Sequence, residues 1–536
     1  MGAAACGVNL VTRWAVDFSP EACQSLRHNH PETEVRHTTA EEFLELLKAW
    51  KNLCDTYLWS ETGGAADADE DIEEVDSEAD SLLDDNDELE VDKIVGICYG
   101  DPKGIKEGSA LYYKVSWKGY DSDEDTWEPA TGLDKCDESI KDFVIDGYKR
   151  HILPLPGTVD VICGGPPCQG ISGFNRFRTK EEPLKDIKNF QLEVFMNIIK
   201  FLQPRFTLME NVVDIMRFEK AYLGRLAVAR LVAMQYQVRL GFLVAGKYGL
   251  PQFRMRTFIW GARTTEKLPG FPLPTHKVVA RGFCPKQFEC NVKVSEDEEK
   301  LLKNALLLGD AIRDLPDITT HEERDEMEYG EDPINITEFQ RMIRRPKQEL
   351  MGSAIPKSVT RPKLYDHRPL KLSKDDNIRV SQIPRKKGAN YRDLDGVIVD
   401  GNIARRHPHI KIILDSGKPL VPEYALKYVR GTSKKPFGRL WWDEIVSTVV
   451  GRAEPHNQVI LHPEQDRTLS IRENARLQGF PDYYRFFGNK EKQRYIQVGN
   501  AVAVPVGRAL GFALARAVNE IPDNGPVFVL PPSFSS

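Results

Sequence analysis

The first fifty residues alternate short apolar runs with amphipathic stretches. The segment "LVTRWAVD" predicts a strand that ends at Asp17, and Ser19 and Pro20 are typical of the cap and first residue of a helix. Apolar positions at helical spacing predict a second helix within residues 39–50, "TAEEFLELLKAW". Alternating strands and helices predict an α/β domain with a parallel sheet and crossover helices.

The same alternation resumes after residue 156 and predicts a doubly wound, Rossmann-like domain. In open sheets of this kind, ligands bind beyond the carboxyl ends of the strands. The predicted elements are a buried strand "TVDVICGG", a long helix "KDIKNFQLEVFMNIIKFLQ", a strand "PRFTLM", a helix from about Glu219 to Met234, and strands "YQVRLGFLV" and "RTFIWGA".

Between these two blocks, residues 91–155 follow a different pattern. Two stretches, "VDKIVGICYG" and "LYYKVSWKGY", predict β-strands, and "DESIKDFVIDGYKR" predicts a closing helix. We therefore expect a small β-barrel-plus-helix module inserted into the α/β domain.

The regular pattern is lost over residues 264–440 and then returns. Beyond that region, "LSIRENARLQGFP" predicts a capped helix that ends at Gly479, and "YIQVGNAVAVPVGRALGFALARAVNE" predicts a strand followed by a helix. The predicted boundaries are 1–60, 156–263 and 441–536 for parts of the α/β domain, 61–90 for a linker, 91–155 for the inserted module and 264–440 for the irregular region.

Charge is distributed unevenly along the chain. Residues 61–90 hold fifteen acidic residues and no Lys or Arg, so this segment is too polar to bury and predicts a disordered linker. Without its fifteen negative charges, the net charge of the chain changes from −7 to +8. Residues 341–440 carry 24 Lys or Arg against 9 Asp or Glu. That block is either a phosphate-binding surface or a solvated lysine-rich loop.

Composition also argues against several classes of protein. No apolar run approaches the roughly 20 residues of a membrane span, so no membrane is expected. The nine cysteines include no C-x-x-C pair, which argues against a disulfide framework and against a structural metal site.

Residues able to act as nucleophile, acid and cation lie close to the predicted strand ends. Cys168 follows one strand in a proline-stiffened loop, and Glu210 follows the next. Gln252, Arg254 and Arg256 precede a strand, which places them near its opposite end or in a loop that reaches over the site. A reactive thiolate requires a lowered pKa, which nearby cations and backbone N–H groups supply. Taken singly, each residue is equally a packed cysteine, a strand-end glutamate or a surface arginine.

Five motifs occur in order along the chain: "GGPPCQGIS", "ENV", "QFRMRTF", "RENARLQGFP" and "QVGNAVAVPV". They resemble the ordered motif series of the cytosine-C5 DNA methyltransferases. The resemblance implies an S-adenosylmethionine-dependent methyltransferase fold. It also implies that residues 264–440 form a target-recognition region for double-stranded DNA.

The resemblance further implies a mechanism. Cys168 would attack C6 of a flipped cytosine, whose C5 then accepts a methyl group from S-adenosylmethionine. Glu210 would hold N3 and the exocyclic amine, and Arg254 and Arg256 would steady the base and the covalent adduct. The sequence does not identify the base that removes the C5 proton. For the cofactor, Asp17 matches the residue that grips the ribose hydroxyls, Asn500 and Val502 match the motif that closes the pocket, and Asn189 and Gln191 lie near it.

The inserted module is similar to a chromodomain. Trp117 and Tyr120 in "WKGY" match two walls of the aromatic cage that holds a methylated lysine, whereas Trp127 is expected to pack in the core. Leu89 occupies the place of the first cage aromatic and offers packing but no ring quadrupole. A chromodomain inside a cytosine methyltransferase is the arrangement of the plant chromomethylases. Those nuclear enzymes bind methylated histone H3 tails and methylate cytosines outside CG sites, chiefly CHG.

The family's D-x-F-x-G-x-G strand and glycine loop, and the bromo-adjacent-homology domain that usually precedes it, are not found. We therefore expect a chain that is truncated at its N-terminus. Three functions follow as hypotheses: an active DNA methyltransferase, a non-catalytic chromatin-binding protein, and a tRNA cytosine methyltransferase, against which the chromodomain counts.

Overall fold

A computed structural model of the chain describes residues 7–59, 89–102, 110–171, 183–279, 296–330, 335–350, 363–522, 525–531 and 534. The acidic linker predicted over 61–90 lies outside the described residues except for its last two positions. The predicted alternation of strands and helices is present on both sides of the inserted module.

The N-terminal part is a parallel strand pair with two helices. Ser19 accepts the backbone N–H of Ala22, which caps the first helix, and Thr39 forms a capping box with Glu42 at the start of the second. The elements are β1 (Trp14–Asp17), α1 (Pro20–Asn29), β2 (Glu34–His37) and α2 (Ala40–Cys54), which continues into a π-helical turn over Asp55–Trp59.

The inserted module packs directly against α2. It consists of the antiparallel strands β3 (Val91–Tyr99), β4 (Leu111–Trp117) and β5 (Thr126–Pro129), followed by α3 (Asp137–Arg150). Trp50 of α2 is fully buried and meets Phe143 of α3 edge-on, with ring centroids 6.3 Å apart. A Cβ atom at Gly147 would lie 2.8 Å from the Trp50 ring. The module therefore shares one apolar core with the N-terminal part.

A four-stranded sheet follows the module, in the order β6-β7-β9-β8. Strands β6 and β7 are parallel, and β9 lies antiparallel between β7 and β8. The elements are β6 (Val161–Gly164), α4 (Ile187–Leu202), β7 (Phe206–Val212), α5 (Tyr222–Ala233), β8 (Tyr236–Val244) and β9 (Met255–Arg263).

The antiparallel direction of β9 corrects one expectation about the arginines. Arg256 pairs with Val212 across the β7–β9 ladder, so the beginning of β9 lies at the carboxyl ends of β6 and β7. Arg254 and Arg256 therefore belong to the functional edge of the sheet, not to its opposite end. Glu210 also lies within β7 and not after it.

Among the described residues, no backbone ladder joins the β1–β2 pair to the four-stranded sheet. The predicted doubly wound sheet is thus present in two parts. Helices α2 and α4 pack against each other and connect them.

The region predicted as irregular is folded around short elements and has a core of its own, which includes Val380, Tyr391, Ala425 and Phe437. Its elements are β10 (Phe271–Pro272), β11 (His276–Lys277), α6 (Glu296–Leu301), β12 (Lys303–Asn304), α7 (Leu308–Ile312), β13 (Glu326–Met327), α8 (Glu338–Ile343), α9 (Lys347–Leu350), β14 (Leu364–Tyr365), α10 (Lys374–Gln382), β15 (Val397–Asp400), β16 (Ile403–Arg406), α11 (Glu423–Lys427) and β17 (Gly438–Arg439).

The C-terminal part supplies much of the largest apolar core. Ser470 and Glu473 form the capping box of α12, and Gly479 follows that helix with a φ of +79°. The elements are β18 (Val459–Leu461), α12 (Ile471–Leu477), α13 (Glu491–Asn500), α14 (Val504–Val518) and β19 (Val527–Phe528).

The strand predicted at the start of "YIQVGNAVAVPVGRALGFALARAVNE" was wrong, because its first six residues lie in α13. Its buried residues Arg494, Tyr495, Val498 and Gly499 recur at helical spacing. Helical residues 491–518 contain an 18-residue window that is long and apolar enough to cross a membrane, yet half of that window is buried inside the protein. The helical structure is also interrupted between the end of α13 at Asn500 and the start of α14 at Val504, as expected for two core helices.

Candidate active site

The loop that carries Cys168 is tied to the neighbouring strand by one side chain. Asn211 of β7 is 4% exposed and donates from Nδ2 to the carbonyl of Pro166 at 3.1 Å. Its Oδ1 accepts the N–H of Val212 at 2.9 Å, which fixes the orientation of the amide. The position of the loop, and hence of the thiol, is therefore set by β7.

Glu210 and Arg256 form an ion pair at the same edge. Nε of Arg256 lies 3.0 Å from Oε1 of Glu210, and each side chain is 16% exposed. Burial raises the pKa of Glu210, and the charges of Arg256 and Arg254 oppose that rise. The other carboxylate oxygen lies 3.3 Å from where a Cβ of Gly165 would be, so a larger residue there would displace Glu210.

The thiol of Cys168 is influenced by the same charges. Burial raises its pKa, the charge of Arg256 lowers it, and the charge of Glu210 raises it again. The net direction of the pKa shift is upward, whereas the sequence analysis expected nearby cations and backbone N–H groups to lower the pKa. Cys168 is thus a protonated thiol at neutral pH, and Arg256 is positioned to stabilise the anion once its proton leaves.

Arg254 has a different environment from Arg256. It is 2% exposed, and its guanidinium donates to the carbonyls of Val449 at 2.9 Å, Gly499 at 3.0 Å and Ala501 at 2.8 Å. These contacts join the start of β9 to the turn after α13. The guanidinium of Arg254 thus bonds to backbone carbonyls, and it affects Cys168 and Glu210 through its positive charge, which lowers the pKa of each.

The residues assigned to the cofactor lie on several elements. Asp17 ends β1, accepts the N–H of Ser19 at 2.8 Å, and has a pKa raised by burial. Asn189 of α4 is buried and donates to the carbonyl of Pro183 at 2.8 Å, whereas its Oδ1 has no hydrogen-bond partner among the described residues. Gln191 donates to Glu41 of α2.

The turn after α13 carries the remaining two assigned positions. Asn500 is exposed, and Val502 is partly buried against the largest core. Because Arg254 holds the carbonyls on either side of Asn500, this turn is connected to the strand that carries Arg256.

The proposed cage residues lie at one end of the inserted module. Trp117 donates from Nε1 to Thr126 at 2.9 Å and packs partly against the module's core, and Tyr120 is exposed. Leu89 is also exposed and lies just before β3. Trp127, expected in the core, is only partly buried, and its ring lies against Gly96.

Comparison with protein families identifies the chain. The family described as "C-5 cytosine-specific DNA methylase" matches residues 135–516, and the chromo domain family matches residues 89–145. The chain belongs to the cytosine-C5 DNA methylase family. The expectation of an α/β methyltransferase fold with an inserted chromodomain is thereby confirmed.

Similar proteins place this cytosine-C5 methylase among the plant chromomethylases, as the motifs predicted. DNA (cytosine-5)-methyltransferase 3 of Zea mays is 56% identical over 542 residues, which cover 100% of this chain and 58% of the relative. DNA (cytosine-5)-methyltransferase CMT3 of Arabidopsis thaliana is 54% identical over 549 residues, covering 100% of this chain and 65% of the relative. The chain thus spans about three fifths of the length of these relatives. Among solved structures, the S. pombe Dnmt2 methyltransferase is 12% identical, with a TM-score of 0.35 and coverage of 97% and 95%.

The site of this methylase also contains residues that the sequence analysis missed. Phe18 follows Asp17 directly and is 73% exposed, an unusual position for a phenylalanine. Asn211 was quoted only as part of "ENV", and Gln252 was named without a role. The sequence shows an aromatic residue directly after the strand-end acid, but the exposure of Phe18 and the contact between Asn211 and the Pro166 carbonyl both depend on the tertiary fold.

Proposed function

We propose that this chain transfers a methyl group from S-adenosylmethionine to C5 of cytosine in DNA, at non-CG and chiefly CHG sites of plant chromatin. The observation that carries the proposal is the meeting of Cys168, Glu210 and Arg256 at one sheet edge. A thiol, a carboxyl group with a raised pKa and a cation are the groups that addition to a pyrimidine ring requires.

Each of these groups has a defined task. The Cys168 thiol loses its proton to solvent and Arg256 stabilises the thiolate, whose sulfur bonds to C6 of the flipped base as the C5–C6 π electrons move toward C5. Glu210, whose raised pKa lets it carry a proton, donates to N3 and accepts from the exocyclic amine. The electron density at C5 would take the methyl group, and the bond between that methyl group and the cofactor sulfur would break to leave a neutral thioether. A base would then remove the C5 proton, and the S–C6 bond would break to return the thiolate.

S-adenosylmethionine supplies an electrophilic methyl group on a sulfonium when it is bound. The residues present fit such a group. Asn189 offers a buried oxygen without a partner among the described residues, Asp17 offers a carboxylate to ribose hydroxyls, and Phe18 offers an exposed ring for a purine to stack on. Asn500 and Val502 would close the pocket from the other side.

The partners we propose are double-stranded DNA and a histone H3 tail methylated on lysine, so the protein would act in the nucleus. For DNA, the basic region offers exposed cations for phosphate contacts: Arg405, Lys411, Lys418, Lys434 and Lys435. For the histone, Trp117 and Tyr120 would form two walls of the cage, and Leu89 would weaken it relative to three aromatic residues.

Covalent trapping tests the enzymatic proposal. The chain is incubated with a CHG duplex carrying 5-fluorocytosine and S-adenosylmethionine, because fluorine at C5 prevents the final elimination. We expect a denaturant-resistant adduct with the native chain and none with Cys168→Ser. No adduct from a folded chain that still binds DNA or methylated H3 peptide would refute the proposal and favour the chromatin-binding alternative. An adduct formed on fluorinated tRNA but not on the duplex would favour the tRNA alternative.

A further inference from the structure

Three buried polar side chains connect the active-site edge to the turn that carries Asn500. Gln252 and Gln478 are both 0% exposed, and Arg254 is 2% exposed. Buried amides are costly unless their donors and acceptors are all paired, so the bonds that they make define a specific arrangement.

Gln252, two residues before Arg254, forms the centre of this network. Its Nε2 donates to the carbonyl of Leu477 at 2.6 Å and to Oε1 of Gln478 at 2.7 Å. Its Oε1 accepts the N–H of Val449 at 3.2 Å. A single side chain thus joins the approach to β9, the end of α12 and the segment before β18.

Gln478 extends the network to the end of α13. Its Nε2 donates to the carbonyls of Val498 at 2.9 Å and Ala501 at 3.1 Å, and its own carbonyl accepts the N–H of Val504 at 2.9 Å. Ala501 therefore receives bonds from both Gln478 and Arg254. Val449 is likewise bonded by both Gln252 and Arg254.

Close backbone packing leaves this turn little room to shift. A Cβ atom at Gly499 would lie 2.1 Å from the backbone nitrogen of Gly451. The exposed Asn500 stands between residues whose carbonyls are held by Arg254 and Gln478. The position of Asn500 relative to Arg256 is thus determined by the buried side chains of Gln252, Arg254 and Gln478.

We infer that Gln478 is a positioning residue, which sets the turn at residues 498–502 so that Asn500 can engage the cofactor beside Glu210 and Arg256. The inference rests on the proposed function and assigns Gln478 no direct contact with substrate or cofactor. Without its amide, two carbonyls of the turn lose a donor and Gln252 loses an acceptor, and the turn can move while Cys168 and its loop stay in place.

The decisive variant is Gln478→Leu, with Gln340→Leu as a matched control. Gln340 is also buried, at 2% exposure, and donates to a backbone carbonyl, that of Gly309, at 3.2 Å. Titration calorimetry with S-adenosylmethionine and the rate of 5-fluorocytosine trapping are measured on full-length chains, together with melting temperatures. We expect Gln478→Leu to weaken cofactor binding about 10- to 100-fold, since each unsatisfied buried group costs about 1–3 kcal/mol. Trapping at saturating cofactor should change less than threefold, and Gln340→Leu should leave cofactor affinity unchanged.

A second variant keeps the test valid if Gln478→Leu fails to fold. In Gln478→Glu the ionised carboxylate still accepts from Gln252 but cannot donate to Val498 or Ala501, whereas the protonated form can donate to one of them. Its cofactor affinity should therefore recover as the pH falls from 8.5 to 6, relative to the native chain. Cofactor affinity within twofold of the native chain at pH 8.5 in either variant, or an equal loss in Gln340→Leu, would overturn the inference. A native chain that binds no S-adenosylmethionine would instead overturn the proposed function, and this inference with it.

Discussion

The change Arg254→Met tests whether the two arginines of "QFRMRTF" differ in role as their contacts indicate. Methionine has a similar length and no hydrogen-bond donor, so the carbonyls of Val449, Gly499 and Ala501 all lose a partner at once. Val449 and Gly499 are buried, so replacement water is largely excluded there, whereas Ala501 is half-buried and keeps the bond from Gln478.

The magnitude follows from these three bonds. A hydrogen bond to a charged group contributes about 1.5–3 kcal/mol, but the variant also removes a buried cation whose desolvation is unfavourable. Taking about 1 kcal/mol for each carbonyl gives a loss of about 3 kcal/mol in the free energy of unfolding. With about 2–4 °C per kcal/mol for a large domain, the melting temperature should fall by about 6–12 °C.

The matched control is Arg256→Met. Among the described residues, the side chain of Arg256 pairs with Glu210 and also bonds to the carbonyl of its neighbour Met255. Without the arginine, the anion of Cys168 loses the positive charge that stabilises it, whereas Glu210 avoids a buried unpaired charge by taking up a proton, because burial already raises its pKa. We therefore expect Arg256→Met to abolish trapping on 5-fluorocytosine while it lowers the melting temperature less than Arg254→Met does.

Differential scanning fluorimetry and urea unfolding of both variants decide the matter. A stability loss below about 1 kcal/mol in Arg254→Met, or a larger loss in Arg256→Met, would contradict the assignment of Arg254 to the backbone carbonyls. Either result would indicate that Arg254 and Arg256 have the same role at the active-site edge of the sheet.

Three further results are expected. His367 is fully buried as the neutral ring, and burial lowers its pKa to about 4. Between that pH and the ordinary pKa of histidine, the unfolded chain therefore binds a proton that the folded chain does not bind. Stability should be complete above pH 6.5 and fall by up to about 1.4 kcal/mol per unit between pH 6.5 and 4, with a flatter urea-midpoint profile in His367→Gln. Alkylation of Cys168, followed by peptide mass spectrometry, should have a midpoint above that of a free thiol, and Arg256→Gln should move it higher still; a lower midpoint would contradict the cause given for the pKa shift. Gly147→Ala should destabilise the chain by about 1–3 kcal/mol in thermal melts, because its Cβ meets the ring of Trp50, whereas Gly507→Ala, in an open helical position, should stabilise it.

Elements with a strong local pattern could be predicted from the sequence alone. The capped helix at "LSIRENARLQGFP" carries its start and stop signals within itself, namely Ser470, Glu473 and Gly479. The segment "YIQVGN" lacks such signals, and its isoleucine and valine residues also have a high propensity for β-strands. Its helical form is decided by burial of Tyr495 and Val498 against the rest of the chain, which no local pattern contains.

The place of β9 shows why the site was harder to predict than the elements. Strands β8 and β9 were both predicted, and the ten residues between them are too few for a long crossover, so an antiparallel pair was foreseeable. That β9 lies between β7 and β8 depends on pairing with β7, which is more than forty residues away. This long-range pairing brings Arg256 to Glu210, so the meeting of the two follows from topology rather than from motif spacing.

The same topology explains why the two arginines of the motif "QFRMRTF" have different roles. Residues two apart on an extended strand project to the same face, so the spacing of Arg254 and Arg256 suggests equal roles. Arg254, however, stands before β9 begins, where the chain passes beneath the turn after α13 and its guanidinium finds three carbonyls. Arg256 lies within β9 and pairs with Val212 of β7, which is two residues after Glu210. Its charge is therefore shared between the carboxyl group of Glu210 and the half-buried thiol of Cys168, and it opposes the rise that burial causes in the pKa of each.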